Sequence, residues 1–300
     1  MDTNRQTQMF GGDWTEKKLG VLAKYLSAYT TALKKQPFRK IYIDAFAGTG
    51  YRELKDAGES APLLASLAEE EPQSFLDGSA RIALRTQPRF DDYVFIEKSP
   101  SRAAELKKIK SNPAYAEIAS SIFIKCGDSN ELLRNWCGDE CWGKCRAVVF
   151  LDPFGMQVEW STMEAIAGTK AIDLWVLFPL GMAVNRMLVN DLTKMHATWR
   201  DCLTKVFGNE SWTQAFYESK KTDTLLGPAE ETAKKTCNLK QIGTYYRNRL
   251  SKIFPIVAPN PAILCNSRGI PLFQLHFAAA NPGRGGQIAV NIARHILKGI

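Results

Sequence analysis

A short segment of β-branched and aromatic residues, Arg39–Phe46, runs directly into a glycine-rich loop. Glycines after a buried strand let the backbone turn tightly and approach a ligand with no Cβ in the way. In an open α/β sheet, ligands bind at the carboxyl ends of the strands. We therefore predict a nucleotide-like ligand here, with an ordinary strand-to-helix turn as the alternative. The candidate binding residues are Asp44, Phe46, Ala47, Gly48 and Gly50.

Two further acidic residues each follow an apolar segment. Glu97 ends the predicted strand Tyr93–Ile96, where a carboxylate can accept both hydrogen bonds of a ribose diol. We favour that role over a solvated glutamate beside Lys98. Asp128 follows the predicted strand Ile122–Ile124, and with Glu131 it also forms a capping-box pattern for a helix. A ligand contact and a helix cap both remain open for Asp128.

The tetrapeptide Asp152-Pro153-Phe154-Gly155 ends the apolar strand Ala147–Leu151. The Asp152 carboxylate and the Pro153 carbonyl are hydrogen-bond acceptors, and the Phe154 ring offers a flat face for stacking, so the segment could position a polar planar group. A proline-glycine turn after a buried strand is the alternative.

These segments resemble the motifs of S-adenosylmethionine-dependent methyltransferases. The D-x-F-x-G-x-G spacing at 44–50 is similar to motif I, particularly in enzymes that methylate amino groups of bases. A Walker phosphate loop would need a lysine, and the dinucleotide fingerprint would need a third glycine. Asp128 resembles the adenine-contacting acidic residue of motif III. The resemblance implies S-adenosylmethionine as cofactor, bound at Asp44–Gly50, Glu97 and Asp128.

The Asp152 tetrapeptide departs from the usual pattern of amino-methyltransferases, which is D/N-P-P-aromatic. One proline is missing, and Phe154 comes one residue early. The variant is similar to the tetrapeptide of tRNA guanine-N2 methyltransferases. The resemblance implies that these residues orient an exocyclic amine on a purine ring, a poor nucleophile whose protons need positioned acceptors. Asp152 and the Pro153 carbonyl would accept from the amine, and the Phe154 ring would stack on the base.

Several segments together resemble the three-Cys-motif partner protein family, and the likeness runs nearly end to end. They are Phe10–Trp14, 43–50, Phe150–Gly155 and Leu174–Pro179, the last followed by Asn185-Arg186. The resemblance implies a methyltransferase-like fold. It also implies partnership with a radical-SAM-like protein that carries three cysteines. It does not imply a particular reaction.

Strands that alternate with helices predict a Rossmann-like α/β core of the class I methyltransferase type, with a mostly parallel sheet. A helix beginning at Asp13 precedes it, and Pro37 is expected to end that helix. The other predicted helices are Ser79–Gln87, one from Ser99-Pro100 through Lys110, one opening at Asp128, and Gln287–Leu297. The remaining predicted strands are Ile172–Phe178, Ala262–Cys265 and Leu272–Phe277, the last two forming an antiparallel hairpin around Asn266–Gly269.

We expect four regions along the chain. Residues 1–37 form an N-terminal helix, and residues 38–182 form the methyltransferase-like core with an insertion at 51–78. Residues 183–255 form an inserted basic helical lobe, opened by one amphipathic helix over Ala183–Phe207. Residues 256–300 return to the core as the hairpin and the last helix.

The positive charge lies in the C-terminal part of the chain. Residues 1–180 contain 23 Lys/Arg against 24 Asp/Glu, whereas residues 181–300 contain 16 against 7. This imbalance favours a polyanionic partner, RNA or DNA, although a lysine-rich surface without a partner is the alternative. Arg186, just past the fifth strand, is expected near the mouth of the site. The other candidate contacts are Lys234, Lys235, Arg247 and Arg249, and the neighbouring Tyr245 and Tyr246 are expected to pack in the core.

The seven cysteines are an odd number and favour reduced thiols in a cytoplasmic protein. Cys137, Cys141 and Cys145 are regularly spaced, but Gly138 and Gly143 disfavour a helix there and the spacing is not that of a zinc site. We expect no metal. Neither a signal peptide nor a membrane span is expected, because no apolar run is long enough.

The sequence therefore predicts a methyltransferase that acts on an exocyclic amino group of a nucleic-acid base, a base that must be flipped out if it lies in a duplex. The alternative is a catalytically weak or inactive methyltransferase-like protein that docks the radical-SAM-like companion. A small-molecule methyltransferase, which would not need the C-terminal charge, is the third possibility.

Overall fold

The computed structural model describes residues 13–47, 78–153, 155–222 and 230–300. Gly48, Gly50, Phe154 and nearly all of the expected insertion at 51–78 lie outside these residues. Helix α1 (Asp13–Ala32) comes first and ends five residues before Pro37, the predicted terminator. The strands of the core are β1 (Arg39–Asp44), β2 (Asp92–Glu97), β3 (Ile122–Cys126), β4 (Cys145–Leu151) and β5 (Ile172–Phe178).

Helices connect these strands. They are α2 (Gly78–Arg85), α3 (Pro100–Lys110), a 3₁₀ helix (Pro113–Ser121), α4 (Ser129–Asp139) and α5 (Trp160–Gly168). After the lobe, the chain adds β8 (Ile256–Val257), β9 (Ala262–Cys265), β10 (Pro271–Ala279) and α9 (Arg284–Leu297). The predicted strands and helices of the core are thus present, with boundaries shifted by a few residues.

Within the described residues, eight strands form one sheet in the order β3–β2–β1–β4–β5–β10–β8, with β9 paired to β10. Strands β1 to β5 are parallel, and β10 runs antiparallel to β5, β8 and β9. The fold is therefore α/β, with a mostly parallel sheet and a C-terminal antiparallel hairpin, as predicted. Because the chain leaves β1 towards β2 and β3 and later returns to β4, the strand order reverses between β1 and β4. In such sheets the ligand crevice lies outside the carboxyl ends of the strands at this reversal.

Apolar layers cover both faces of the sheet. One face packs against α1, α2, α3 and α9. The other packs against α4, α5 and the lobe. Strand β5 is buried at every position, since it is central and covered on both sides.

The predicted single helix over Ala183–Phe207 is wrong. The segment instead contains a π-helical turn (Leu180–Val184), short helical pieces (Asn185–Met187 and Leu192–Lys194), and helix α6 (Ala197–Phe207). Asp191 accepts a hydrogen bond from Thr193 N, and the His196 ring accepts one from Thr198 N. Such local bonds from side chain to backbone compete with a continuous helix, so the apolar stripe is divided between separate pieces.

The lobe is also less helical than predicted. After α7 (Ser211–Phe216), a two-stranded antiparallel sheet of β6 (Tyr217–Thr222) and β7 (Glu230–Lys235) precedes α8 (Leu239–Ile253). Helix α8 carries the two tyrosines. The Tyr246 ring stacks on Phe178 at 3.9 Å between centroids, and the Tyr245 ring lies 4.9 Å from that of Phe216. The prediction that both tyrosines pack is confirmed.

Candidate cofactor and substrate site

Three acidic residues lie at the carboxyl edge of the sheet, on neighbouring strands. Asp44 ends β1, Glu97 ends β2, and Asp152 follows β4 directly. Asp44 pairs in register with Phe150 of β4, and Ala47 N donates to Ile96 O at 3.0 Å. The described start of the predicted loop is therefore fixed to the end of β2, beside the strand-order reversal.

Asp44 is almost fully buried, with 1% of its surface exposed. Its Oδ2 accepts a 2.5 Å hydrogen bond from Ser79 Oγ, at the start of α2, and Tyr42 Oη lies 3.5 Å away. Burial raises the pKa of Asp44 to about 7, and the nearby Asp152 carboxylate adds to the rise although the Ser79 hydrogen bond opposes it. Asp44 can therefore exchange a proton near neutral pH.

Asp152 is paired with a residue that the sequence analysis did not select. Lys18 of α1 donates from Nζ to Asp152 Oδ2 at 2.5 Å, and its side chain is only 5% exposed. The same ammonium lies 5.0 Å from the centre of the Trp14 ring. Lys18 occupies the stripe of Trp14, Leu22 and Tyr25 on the buried face of α1. A lysine within an otherwise apolar helical stripe is the signal that could have identified it.

Glu97 is 2% exposed and is the last residue of β2, while its contact with a ribose stays a prediction. Its Oε1 accepts a hydrogen bond from Ser99 N at 2.6 Å, just before the first turn of α3. The Glu97 carbonyl accepts a hydrogen bond from Gly127 N at 3.1 Å, which brings the ends of β2 and β3 together. The solvated alternative is therefore wrong, because the side chain is buried.

Asp128 is the N-cap of α4. Its Oδ1 accepts hydrogen bonds from Asn130 N at 2.9 Å and from Glu131 N at 3.1 Å. The predicted capping role is confirmed, while contact with an adenine ring stays a prediction. The cap places the first turn of α4 at the same edge of the sheet as Glu97.

Two polar residues at the start of α4 were also missed. Ser129 is buried and donates from Oγ to the carbonyl of Ala45 in the loop after β1. Buried Asn130 donates to Gln157 O at 2.8 Å and accepts from Glu159 N at 3.0 Å. Their position directly after an N-cap gave no hint of this, since both contacts are far away in sequence. They join the loop after β1 to the segment after β4.

Of the tetrapeptide after β4, the structure describes Asp152, Pro153 and Gly155. Pro153 is buried, and Gly155 has φ +70°, a left-handed conformation that favours glycine. The chain bends at Gly155 and Met156 after β4. Asp152 and Pro153 directly follow the carboxyl end of β4, and their chemical roles stay predictions.

The predicted nucleic-acid contacts are not all available to a partner. Lys235 Nζ donates to Asn185 Oδ1 at 2.9 Å and to Leu188 O at 3.0 Å. Arg249 Nε donates to Phe207 O at 2.9 Å, and Arg247 donates to Pro259 O at 2.7 Å. Lys234 is exposed on β7. Lys235 and Arg249 thus bind acceptors within the lobe, and Arg247 binds the segment that follows it.

Arg186 is exposed and lines a cavity of about 220 Å³ formed with residues of the C-terminal hairpin, such as Asn266 and Pro271. None of Asp44, Glu97 and Asp152 lines that cavity. The predicted position of Arg186 at the mouth of the site stays a prediction.

No arrangement of three or more His, Cys, Asp or Glu side chains suited to a metal ion occurs in the part of the chain that the structure describes. Cys137 and Cys145 are buried, whereas Cys141 is exposed. Burial raises the pKa of the Cys137 thiol to about 12 and that of Cys145 to about 11. Separately, none of the described helices has both the length and the apolar character to cross a membrane.

No family model matches the chain, and no curated protein matches it. Solved structures do. A protein from Legionella pneumophila str. Philadelphia 1 is 14% identical, with a TM-score of 0.41 over 96% of this chain and 92% of that one. A spermidine synthase in complex with the transition-state analogue AdoDATO is 10% identical, with a TM-score of 0.40 over 92% of this chain and 63% of that one. The glycopeptide N-methyltransferase MtfA, complexed with S-adenosyl-L-methionine, is 10% identical, with a TM-score of 0.34 over 93% and 99%. At these TM-scores the likenesses carry no weight for function.

Proposed function

We propose that the protein is an S-adenosylmethionine-dependent methyltransferase that acts on an exocyclic amino group of a base in RNA or DNA. The observation that carries this proposal is the meeting of Asp44, Glu97 and Asp152 at the carboxyl ends of adjacent strands, at the strand-order reversal. Open α/β sheets bind ligands at that place.

The described residues fit the cofactor. The buried Glu97 carboxylate suits a ribose diol, because a buried charged acceptor needs donors and a diol supplies two. Asp44 and Ser129 fix the loop that leads away from β1. When bound, S-adenosylmethionine supplies an electrophilic methyl group.

Asp152 would position the substrate amine. Lys18 contacts Oδ2, so Asp152 would accept an amine hydrogen bond through Oδ1. The Pro153 carbonyl would accept a hydrogen bond from the second N–H, and both acceptors would direct the nitrogen lone pair at the methyl group. The Lys18 ammonium partly neutralises the negative charge of the Asp152 carboxylate.

The first experiment measures cofactor affinity by calorimetry, with S-adenosylmethionine and its demethylated product. Glu97→Gln should weaken binding by about 1.5–3 kcal/mol, the value of a hydrogen bond to a charged group. Glu131→Gln, an exposed glutamate in the first turn of α4, is the matched control and should leave affinity unchanged. Absence of binding of both ligands at millimolar concentration would refute the proposal.

The second experiment follows transfer of a labelled methyl group to bulk RNA and DNA. Asp152→Asn should lower the rate about 100-fold, the scale of positioned acid–base groups, without changing cofactor affinity. Transfer that is equally fast in Asp152→Asn would show that this carboxylate does not act on the amine.

One observation favours a second candidate, a methyltransferase-like protein that docks a radical-SAM-like companion and performs little or no catalysis. The Lys18 ion pair occupies one oxygen of Asp152, and the tetrapeptide lacks its second proline. Cofactor binding without transfer to either nucleic acid, together with co-purification of the companion, would favour this candidate.

A further inference from the structure

A second cavity opens at the opposite edge of the sheet, beside the amino-terminal ends of β4 and β5. Its volume of about 480 Å³ is that of a small-molecule site. Arg146 and Asp173, each the second residue of its strand, line it together with residues from α1 and α9. Strands of this length span about 20 Å, so the cavity is remote from Asp152.

The walls of this cavity are mainly apolar. Helix α1 contributes Tyr25, Tyr29 and Leu33, and helix α9 contributes Ile288 and Ile292. Ile288 is 45% exposed, although it is a large aliphatic side chain. Aromatic and aliphatic walls of this kind favour a flat apolar body between the two helices.

Two buried polar residues, Tyr29 and Asp173, belong to the lining of the cavity. Tyr29 is 6% exposed, and its hydroxyl has no hydrogen-bond partner among the residues that the structure describes. Buried polar atoms nearly always have a hydrogen-bond partner, so this hydroxyl is a group that a ligand could bind. Asp173, 7% exposed, accepts from Tyr25 Oη at 2.7 Å, and burial raises its pKa to about 7. Near neutral pH, this carboxyl can therefore either donate or accept.

The rim of the cavity is cationic. Exposed Arg284 begins α9, a helix of 14 residues whose N-cap, Gly283, provides no side-chain hydrogen bond. Gly283 N donates to Asn281 Oδ1 at 2.8 Å, and the helix dipole at such an end favours an anion. The Arg146 guanidinium lies 3.9 Å from the centre of the Phe38 ring and is held by the carbonyls of Trp142 and Cys145. The cavity thus combines a cationic rim, apolar walls and a buried hydroxyl with no hydrogen-bond partner among the described residues.

We propose that this cavity binds a small aromatic acid whose ring carries a hydroxyl or amino group. The carboxylate would lie at Arg284 and the start of α9, and the ring would lie between Leu33 and Ile288. The ring substituent would reach Tyr29 and Asp173. This site is independent of methyl transfer, because it lies at the other end of the strands.

The test measures binding of para-hydroxyphenylacetate by calorimetry and ligand-observed NMR. Phenylacetate, which lacks the hydroxyl, and tyramine, which lacks the carboxylate, should each bind at least about threefold more weakly, since each loses one polar interaction. S-adenosylmethionine should not compete. Equal affinity for the three probes, or no binding of any of them at 10 mM, which is roughly the weakest affinity of interest, would overturn the proposal.

Two substitutions locate the site. Tyr29→Phe removes only a hydroxyl that has no partner among the described residues, so the fold should be retained. It should weaken binding of para-hydroxyphenylacetate about three- to tenfold and leave binding of phenylacetate unchanged. The matched control is Tyr245→Phe in the lobe. Arg284→Gln should weaken both acids, whereas Arg294→Gln, near the other end of α9, should not. Binding that is indifferent to both Tyr29→Phe and Arg284→Gln would place the ligand elsewhere and refute this assignment.

Discussion

The ammonium of Lys18 lies 2.5 Å from Asp152 Oδ2, although 134 positions separate the two residues in sequence. The pair joins the first described helix to the end of β4, where the candidate acceptor of the substrate amine lies. The charge of Lys18 also reaches Asp44 and lowers its pKa, in opposition to burial. One lysine therefore interacts with two carboxyl groups in the crevice, as an ion pair with Asp152 and through its charge with Asp44.

Lys18→Met should destabilise the protein by roughly 2 kcal/mol. That is less than the loss expected for a fully buried pair, because the Asp152 side chain remains 23% exposed. The free energy of unfolding in urea measures the effect. Lys24→Met, an exposed lysine of the same helix, is the control and should change stability by no more than about 0.5 kcal/mol. If Lys18→Met and Asp152→Asn were additive in the double variant, the pair would not be energetically coupled.

Asp44 should make stability fall as pH rises from about 4 to 7. Its folded pKa is about 7, against about 3.9 for an unfolded chain, so the folded state holds the proton more tightly. The stability due to protonated Asp44 is present below the unfolded pKa and is lost as pH passes the folded pKa. Relative to Asp44→Asn, the native protein should lose up to about 1.4 kcal/mol per pH unit in this window.

Urea unfolding at a series of pH values tests the Asp44 prediction. The comparison of native protein with Asp44→Asn isolates this group from the other carboxyls. Asp139→Asn, at the exposed end of α4, should leave the pH profile parallel to that of the native protein. Parallel profiles for Asp44→Asn as well would contradict the raised pKa.

Two adjacent lysines should differ sharply in their contribution to stability. Lys235 donates three hydrogen bonds to Asn185 and Leu188, and burial lowers its pKa, whereas Lys234 is exposed. Lys235→Met leaves backbone acceptors without donors and should cost about 1–3 kcal/mol. Lys234→Met should stay within about 0.5 kcal/mol. Equal effects in thermal or urea unfolding would show that the Lys235 contacts do not stabilise the lobe.

A nucleic-acid partner should be sensitive to the exposed lysines of the lobe. Reversal of Lys234, Lys240 and Lys252 to Glu should weaken RNA and DNA binding across sequences and reduce the salt dependence. The slope of log K against log salt is negative, and for single strands each lost phosphate contact reduces its magnitude by about 0.7. Reversal of Lys107, Lys108 and Lys125 on the core makes the same change in net charge and serves as control. Binding that is insensitive to salt, or equally weakened by both triple variants, would contradict a nucleic-acid role for the lobe.

The core could be predicted because its strands are continuous apolar runs. Ile172–Phe178 was predicted at its observed boundaries, since the strand is buried on both faces and Asp173 is its one polar residue. The hairpin at Asn266–Gly269 was also predictable. Asn266 Oδ1 accepts from Arg268 N and Ile270 N, and Gly269 has φ +75°, so the turn depends on local residue types.

The lobe and part of the site could not be predicted, because nonlocal contacts determine them. Strand β6 is largely polar and pairs with β7 in a separate two-stranded sheet. Its sequence therefore lacks the alternation of apolar and polar residues that predicts a strand. The positions of Asp44, Glu97 and Asp152 at the strand ends could be predicted from the order of the strands along the chain. Lys18, Ser129 and Asn130 act on residues far along the chain, and their roles depend on tertiary packing.

Strand β10 has a consequence for synthesis of the protein. It lies in the sheet interior beside β5, with register pairs from Asp173 to Phe178, yet the whole lobe is translated between the two strands. Until residues 271–279 emerge from the ribosome, the apolar strand β5 has an unpaired edge, and such edges template association with other chains. A premature stop anywhere in the lobe should therefore yield an aggregation-prone product, even though every strand that carries a candidate catalytic or cofactor-binding residue has been made.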